Sequence, residues 1–267
     1  MIGFFIKKNF CDGWDNVFWL VLNNILCYAI LIACYFIGSA VLEISSLPQW
    51  VPICISLVLL VISFCVVMTM ILCISDACAQ IADFKTVPMK EVYKGFKANI
   101  KDGILLTFFM AIISSLAILS IYLYLQLGNL LGLFLSAIVA WGFLFFLSAM
   151  QWFFPLRSQL KGGFKKTLKK CFIVALDNAG FSIFMFIYNL ILIALSLFIF
   201  LIPGFGGLTL AMNNALRLRM YKYDWLEKHP DLTPKEARKQ IPWGELIAED
   251  YDTLGPRSLK SFIFPWK

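Results

Sequence analysis

The chain has 267 residues, 61% of them hydrophobic and 15% charged, with a formal net charge of +7 and a mean hydropathy of +0.82. Soluble domains carry about 25% charged and about 45–50% apolar residues, so there is too little polar surface here to solvate a globule. Soluble, disordered, collagen-like and disulfide-scaffold classes are excluded. What remains is an all-α membrane protein with one membrane domain.

The first ten residues form an amphipathic segment with Lys7 and Lys8, and no small-residue cleavage pattern follows the first apolar run, so no cleavable signal is expected. Uncharged runs then mark the spans, at 17–42, 44–75, 103–156 and 178–216. The third run equals about 80 Å of helix against a hydrocarbon core of about 30 Å, so it must fold back. Gly128-Asn129 is its turn signal. The fourth run, about 58 Å as a helix, is broken by Pro203-Gly204-Phe205-Gly206-Gly207. Six transmembrane helices are predicted, at about 15–38, 51–75, 103–127, 130–155, 180–202 and 206–220, arranged as three helical hairpins. They form a bundle over 1–222, followed by an aromatic-rich tail over 223–267.

Charge orients this arrangement. All 23 Lys and Arg fall on one side of the predicted topology, and the opposite turns contain only Glu43. The positive-inside rule then puts both termini in the cytoplasm. The juxtamembrane cations read as contacts to anionic lipid headgroups, and no nucleic-acid partner is implied.

A weak repeat precedes the outgoing spans. Lys7-Lys8-Asn9-Phe10-Cys11-Asp12-Gly13 and Lys97-Ala98-Asn99-Ile100-Lys101-Asp102-Gly103 both read K-x-N-x-x-D-G, with a degenerate third copy at Lys169-Lys170 and Asp177-Asn178-Ala179-Gly180. The pattern predicts interfacial elbow helices, each ended by an Asp or Asn cap and a glycine that turns the chain upward. Val92, Phe96 and Ile100 form the apolar face of the middle one. Asp177 is expected to be a cap at the cytoplasmic interface.

Gly128, Gly132, Ser136 and Ala140 recur every four residues, the spacing of a helix-packing groove. Its partner is either another helix of this bundle or a second chain, by homo-oligomerisation or with another membrane protein. Asn23, Asn24, Asn189, Asn213 and Asn214 are predicted near one midplane depth. An unsatisfied amide is costly in hydrocarbon, so they face inward, as interhelical glue or as the lining of a polar cavity for a small neutral solute. The eight cysteines lack C-x-x-C spacing and the chain has one histidine, so neither disulfides nor a metal site are expected. No catalytic constellation is recognisable, so neither enzymatic activity nor a cofactor is expected. In the tail, Trp243, Tyr251, Phe262, Phe264 and Trp266 are too many aromatics for a free segment. They dock either on the bundle or on a partner. A short helix is expected at 234–240 and another at 243–251.

Leu22-Asn23-Asn24, Gly95-Phe96-Lys97-Ala98-Asn99, Phe154-Pro155-Leu156 and Pro203-Gly204-Phe205, with the span count and elbow layout, resemble the YesL-like family of bacterial integral membrane proteins over about residues 4–222. The resemblance implies a multi-pass protein of the bacterial cytoplasmic (inner) membrane. Because members are often encoded beside carbohydrate ABC transporters, it also implies an accessory or regulatory role without catalysis. Two functions therefore compete: an accessory, regulatory or assembly subunit of a membrane complex, and a stand-alone carrier of a small neutral solute.

Overall fold

The structure, a computed structural model, describes residues 1–43, 48, 50–199, 201–230 and 240–257. Every element among them is a helix: α1 (Ile2–Asp15), α2 (Val17–Leu42), α3 (Trp50–Ala82), α4 (Met89–Lys94), α5 (Phe96–Gln126), α6 (Leu130–Met150), α7 (Phe153–Leu160), α8 (Phe164–Asp177), α9 (Ala179–Ile199), α10 (Gly204–Lys228), α11 (Trp243–Leu246) and α12 (Ala248–Leu254). A helix satisfies its backbone internally, which is what uncharged runs require in lipid. Five segments are long and apolar enough to cross a membrane: α2, α3, α5, α6 continued through α7, and α9. The expected sixth span, 206–220, lies within α10, which carries Arg217, Arg219 and Lys222 and is not one of the five.

Helix α2 packs on α3, and α5 on α6. The second hairpin turns where predicted. Gly128 has φ +62°, a conformation glycine adopts without strain, and the Asn129 side chain accepts from the Gly132 amide at 2.8 Å to cap α6. Helices α3 and α10 form the centre: α3 touches α2, α5, α7 and α10, and α10 touches α1, α2, α3, α7 and α9. Glycine permits one of these approaches, since a Cβ on Gly103 would meet the Thr69 Cα at 2.9 Å.

Elbows are present, with a correction to their mechanism. α1 breaks into α2 at Asn16, and α8 breaks into α9 at Asn178. In both, the asparagine side chain donates to the carbonyl four residues back, Asp12 O at 2.9 Å and Val174 O at 3.2 Å. The middle elbow is shorter than predicted: α4 ends at Gly95, and α5 runs unbroken through the second copy of the repeat. Asp12 and Asp102 are therefore interior helical residues, not caps. Asp12 pairs with Lys8, and Asp102 with Arg157 of α7. Gly103 serves close packing, not a turn. Of the expected apolar face, Val92 is buried, Phe96 packs beside it and Ile100 is exposed.

The packed core lies toward one end of the long helices. Phe5, Leu72, Leu106, Trp152, Phe153 and Leu216 are buried together there, whereas Tyr35, Phe36, Trp50, Leu130 and Trp141, near or beyond the middle of their helices toward the α2–α3 and α5–α6 turns, are exposed. The turn between α9 and α10 belongs to the packed end. Asn24 of α2 donates to Leu201 O at 2.7 Å and Pro203 O at 2.9 Å, and accepts from the Gly206 amide at 2.8 Å. Ser196 accepts from the Gly204 amide at 2.9 Å. Phe205 packs at a tilt beside Tyr28, and a Cβ on Gly206 would meet Leu20 at 2.9 Å. Beyond Asn24, α2 continues for about 27 Å before its own turn.

Replacing Asn24 with Leu leaves the Leu201 carbonyl and the Gly206 amide of this turn without a partner, while Pro203 O keeps its bond from the Gly207 amide. A loss of about 2–4 kcal/mol is expected, read as a lowered unfolding temperature in detergent. Phe198→Ala, at an exposed site on α9, leaves that temperature nearly unchanged.

Candidate functional site

The five asparagines of the expected polar layer are buried, but they do not meet. Among the described residues no hydrogen bond joins one to another. Asn23 donates to Trp19 O at 2.8 Å and lies against Met89 Sδ, while Asn24 holds the turn described above. Asn189 donates to Gln151 Oε1 at 3.1 Å. Asn213 donates to Ser75 Oγ at 3.0 Å and accepts from Gln159 Nε2, while Asn214 donates to Asn9 Oδ1 at 3.4 Å. Asn24 and Asn189 line different grooves. The amides thus join separate helix pairs, α2 to the α9–α10 turn, α9 to the α6–α7 junction, α10 to α3 and α7, and α10 to α1. In the expected groove on α6, Gly132 and Ser136 are buried, Ala140 is half-buried and Gly128 is exposed in the turn. A Cβ on Gly132 would meet Leu127 at 2.9 Å, a contact within the hairpin.

The charged residues gather at the packed end. Lys8 lies 3.0 Å from Asp12, with its ammonium 3.5 Å from the Phe84 ring centroid, and both members of the pair are nearly inaccessible. Burial pushes the Lys8 ammonium down from its usual range and the Asp12 carboxyl up. Asp177 ends α8, where Lys222 pairs with it at 2.6 Å and the Tyr223 hydroxyl donates to it at 3.0 Å. It sits at the elbow break, as expected, and ties that elbow to α10.

Residues 243–257 of the tail dock on the chain's own bundle. Arg217 of α10 donates from Nε and Nη2 to the two oxygens of Asp250, at 3.0 and 2.9 Å, and the Tyr221 hydroxyl donates to the same carboxylate at 3.0 Å. Asp83, in the turn just after α3, also pairs with Arg217. Lys7 of α1 donates to Gly255 O at 3.1 Å and lies over the Tyr251 ring, and Arg257 pairs with Asp15. Ile247 and Leu254 enter the main core. Trp243 is half-buried near the Arg219 guanidinium, and Tyr251 stays half exposed beside Phe4. Phe262, Phe264, Trp266 and most of the expected 234–240 helix lie outside the described residues. The second expected helix, 243–251, is broken at Ile247 and continues to Leu254.

A polar cleft of about 720 Å³ opens between α3, the start of α5, α7 and α10. Asp76, Gln80, Asp83, Asn99, Arg157 and Gln159 line it. Asn99 fixes Asp76 by donating to it at 2.7 Å, and Ser158 donates to Ser75 at 2.9 Å beneath the rim. The lining offers both charge signs and several amides, which suits hydrogen bonding to a small polar molecule or a partner side chain. The single histidine, His229, stacks on Trp225 at the end of α10, away from the cleft. Among the described residues no three of His, Cys, Asp and Glu converge as metal ligands.

Some of these residues carry a signal in the sequence itself. Gln151 sits inside the long uncharged run, and the rule that singled out the asparagines applies equally to it. Lys8 and Arg217 read as headgroup anchors because their buried carboxylate partners come from an adjacent turn and from the tail. No protein-family model matches the chain, and no curated protein or solved structure matches it either.

Arg217→Ala leaves the Asp250 carboxylate buried without its cation. Removal of one partner of such a pair costs roughly 3 kcal/mol, so the 243–257 segment should detach. Faster proteolytic cleavage within that segment, with α1–α10 intact, is the expected outcome.

Proposed function

We propose that this chain is a non-catalytic integral-membrane accessory subunit, regulatory or assembly-related, of a larger membrane complex in the bacterial cytoplasmic membrane. The observation that carries the reading is the docked tail. Residues 243–257 are fastened by a buried, bidentate Arg217–Asp250 pair to the end of the bundle that holds nearly all the cations, which makes that face a fixed platform. The buried amides support it as well, since each serves a different helix contact. The YesL-like motifs agree with this role and suggest a carbohydrate ABC transporter as the kind of complex served.

A carrier of a small neutral solute is the second reading, favoured by the polar cleft. Against it, Met68, Leu106, Met110, Met150 and Met212 gather in an apolar layer within the bundle, and an apolar layer offers a polar solute no hydrogen bonds.

Both readings share a topology with both termini cytoplasmic. Here α2, α3, α5 and α6 each cross the bilayer, while α9–α10 enters and leaves on the cytoplasmic side. The position of its turn supports this arrangement over six full spans. By helix rise, the turn beside Asn24 is about 27 Å along α2 from the α2–α3 turn and about 12 Å from the α1–α2 break at Asn16. A turn in water would not need Asn24 and Ser196 to satisfy its backbone, whereas a turn at membrane depth does.

Two measurements test these statements. With native cysteines replaced by Ala, a membrane-impermeant maleimide added outside intact cells should label Leu130→Cys and spare Leu201→Cys. Equal labelling would restore the six-span arrangement. For function, mild-detergent purification of the full chain should yield a stoichiometric membrane partner that Arg217→Ala loses while the bundle stays folded. Solute flux by the purified chain alone in proteoliposomes would favour the carrier.

A further inference from the structure

The polar cleft between α3, the start of α5, α7 and α10 holds charges that the chain leaves unmatched. Asp76 is half-buried and makes no ion pair among the described residues, although Arg157 and Lys161 line the same space. Its Oδ2 accepts from Asn99 Nδ2 at 2.7 Å. That bond also orients Asn99, because a carboxylate only accepts and so takes the amide's NH₂. Asn99 Oδ1 is left as a second acceptor, on a side chain only 3% exposed. Neither Asp76 Oδ1 nor Asn99 Oδ1 has a hydrogen-bond partner among the described residues, and neither is sealed from solvent. Both are open, and the cleft is the space they share.

Gln159 repeats the arrangement. Its NH₂ is committed to Asn213 O at 3.0 Å and Asn213 Oδ1 at 3.2 Å, so Oε1 is a third open acceptor on the wall. Arg157 is the counterpart. Only its Nε is engaged, by Asp102, and its two terminal nitrogens have no partner among the described residues. Asp83 is already paired with Arg217 and Lys85, and Lys161 is exposed at the rim. A carboxylate and a guanidinium thus line one cleft without meeting. Its volume of about 720 Å³ falls within the range of small-molecule sites, about 300–1,000 Å³.

We propose that this cleft binds a small zwitterion, with its primary ammonium on Asp76 and Asn99 Oδ1 and its carboxylate or phosphate on Arg157. Each half excludes a simpler ligand. A plain cation would face Arg157, and a plain anion would face Asp76. A quaternary ammonium has no N–H for the open acceptors, and no aromatic ring lines the cleft to receive it. The free edge of the guanidinium suits a carboxylate or a phosphate. Two sources carry this chemistry, a free amino acid and an ethanolamine-phosphate lipid headgroup. Binding here depends on neither the accessory role nor transport.

The test uses the full-length protein in phosphatidylcholine nanodiscs, titrated calorimetrically with glycine, γ-aminobutyrate and O-phosphoethanolamine, which space the two charges differently. At least one should bind saturably. Butylamine and butyrate, which each keep one charge, should bind at least about tenfold more weakly. Asp76→Asn retains the shape and removes the charge, and a similar loss is expected. Gly95 has φ −74°, which any residue adopts, and a Cβ there would lie 3.5 Å from Asn99 Nδ2 and 3.9 Å from Asp76 Oδ2. Gly95→Leu should therefore fill the cleft and abolish binding with Asp76 intact. Thermal unfolding confirms that both variants are folded. If Asp76→Asn does not fold, the single-charge comparison and Gly95→Leu decide. Nanodiscs that contain phosphatidylethanolamine separate the sources: weaker binding of the soluble zwitterion there assigns the cleft to the headgroup, and unchanged binding assigns it to a free amino acid. No saturable binding by any of the three zwitterions, equal binding by butylamine or butyrate, or binding insensitive to Gly95→Leu would overturn the assignment.

Discussion

Hydrocarbon offers no hydrogen bonds, and that constraint organises this molecule more than any apolar contact does. Apolar side chains are as comfortable against lipid as against each other, so they cannot by themselves decide which helix faces which. Polar groups can. The α9–α10 turn leaves backbone carbonyls and amides open, and one side chain, Asn24, closes three of those bonds from the neighbouring hairpin. That single residue fixes the depth of the turn, its partner helix and the direction in which α10 leaves. Gly204, with φ +59°, allows the approach, because a Cβ there would overlap the Asn24 carboxamide.

The same logic explains why the core sits at one end. Toward the α2–α3 and α5–α6 turns, each hairpin packs on itself and presents Leu, Ile and Phe outward. Nothing polar there requires a specific neighbour. Toward the other end, most of the amides, the Ser75–Ser158 pair and Asp102–Arg157 demand partners from another element, and Lys8–Asp12 pairs within α1. Helices α3 and α10 become central because they carry many of those demands. Specificity is gained there at a cost: a buried pair such as Lys8–Asp12 recovers only part of the desolvation of its two charges.

Much of this was legible in the sequence, and the exceptions share a cause. The long helices, the Gly128-Asn129 turn and the elbow break at Asn178 follow from local rules of charge, length and turn chemistry. Midplane asparagines were recognised as inward-facing because their cost in lipid is local too. Which partner each would find was not legible. Asn23 and Asn24 are adjacent in sequence, yet one bonds within its own helix and the other reaches residues 201–206, and only the fold distinguishes them. Asp12 and Asp102 looked like caps because Asp-Gly ahead of an apolar run is a local turn signal. Their basic partners override it: Lys8 four residues earlier, and Arg157 from a distant helix. The expected sixth span lies in α10, which is not among the five segments long and apolar enough to cross. A glycine-rich break reads as a turn at any depth, and sequence spacing alone assigned it to the far surface.

The docked tail shows how far this reasoning extends to function. Buried polar groups in a membrane protein fall into those that complete the fold and those that do not. Asn24, Asn213 and Asp250 belong to the first kind, since removing any of them strands a group elsewhere in the chain. Asn189 belongs partly to the second. Its NH₂ completes the Gln151 network, and its oxygen completes nothing in the chain. The oxygens of Asn23 and Asn214 are in the same state, so three buried amide oxygens go unmatched among the described residues, each on a side chain whose NH₂ is already committed to the fold.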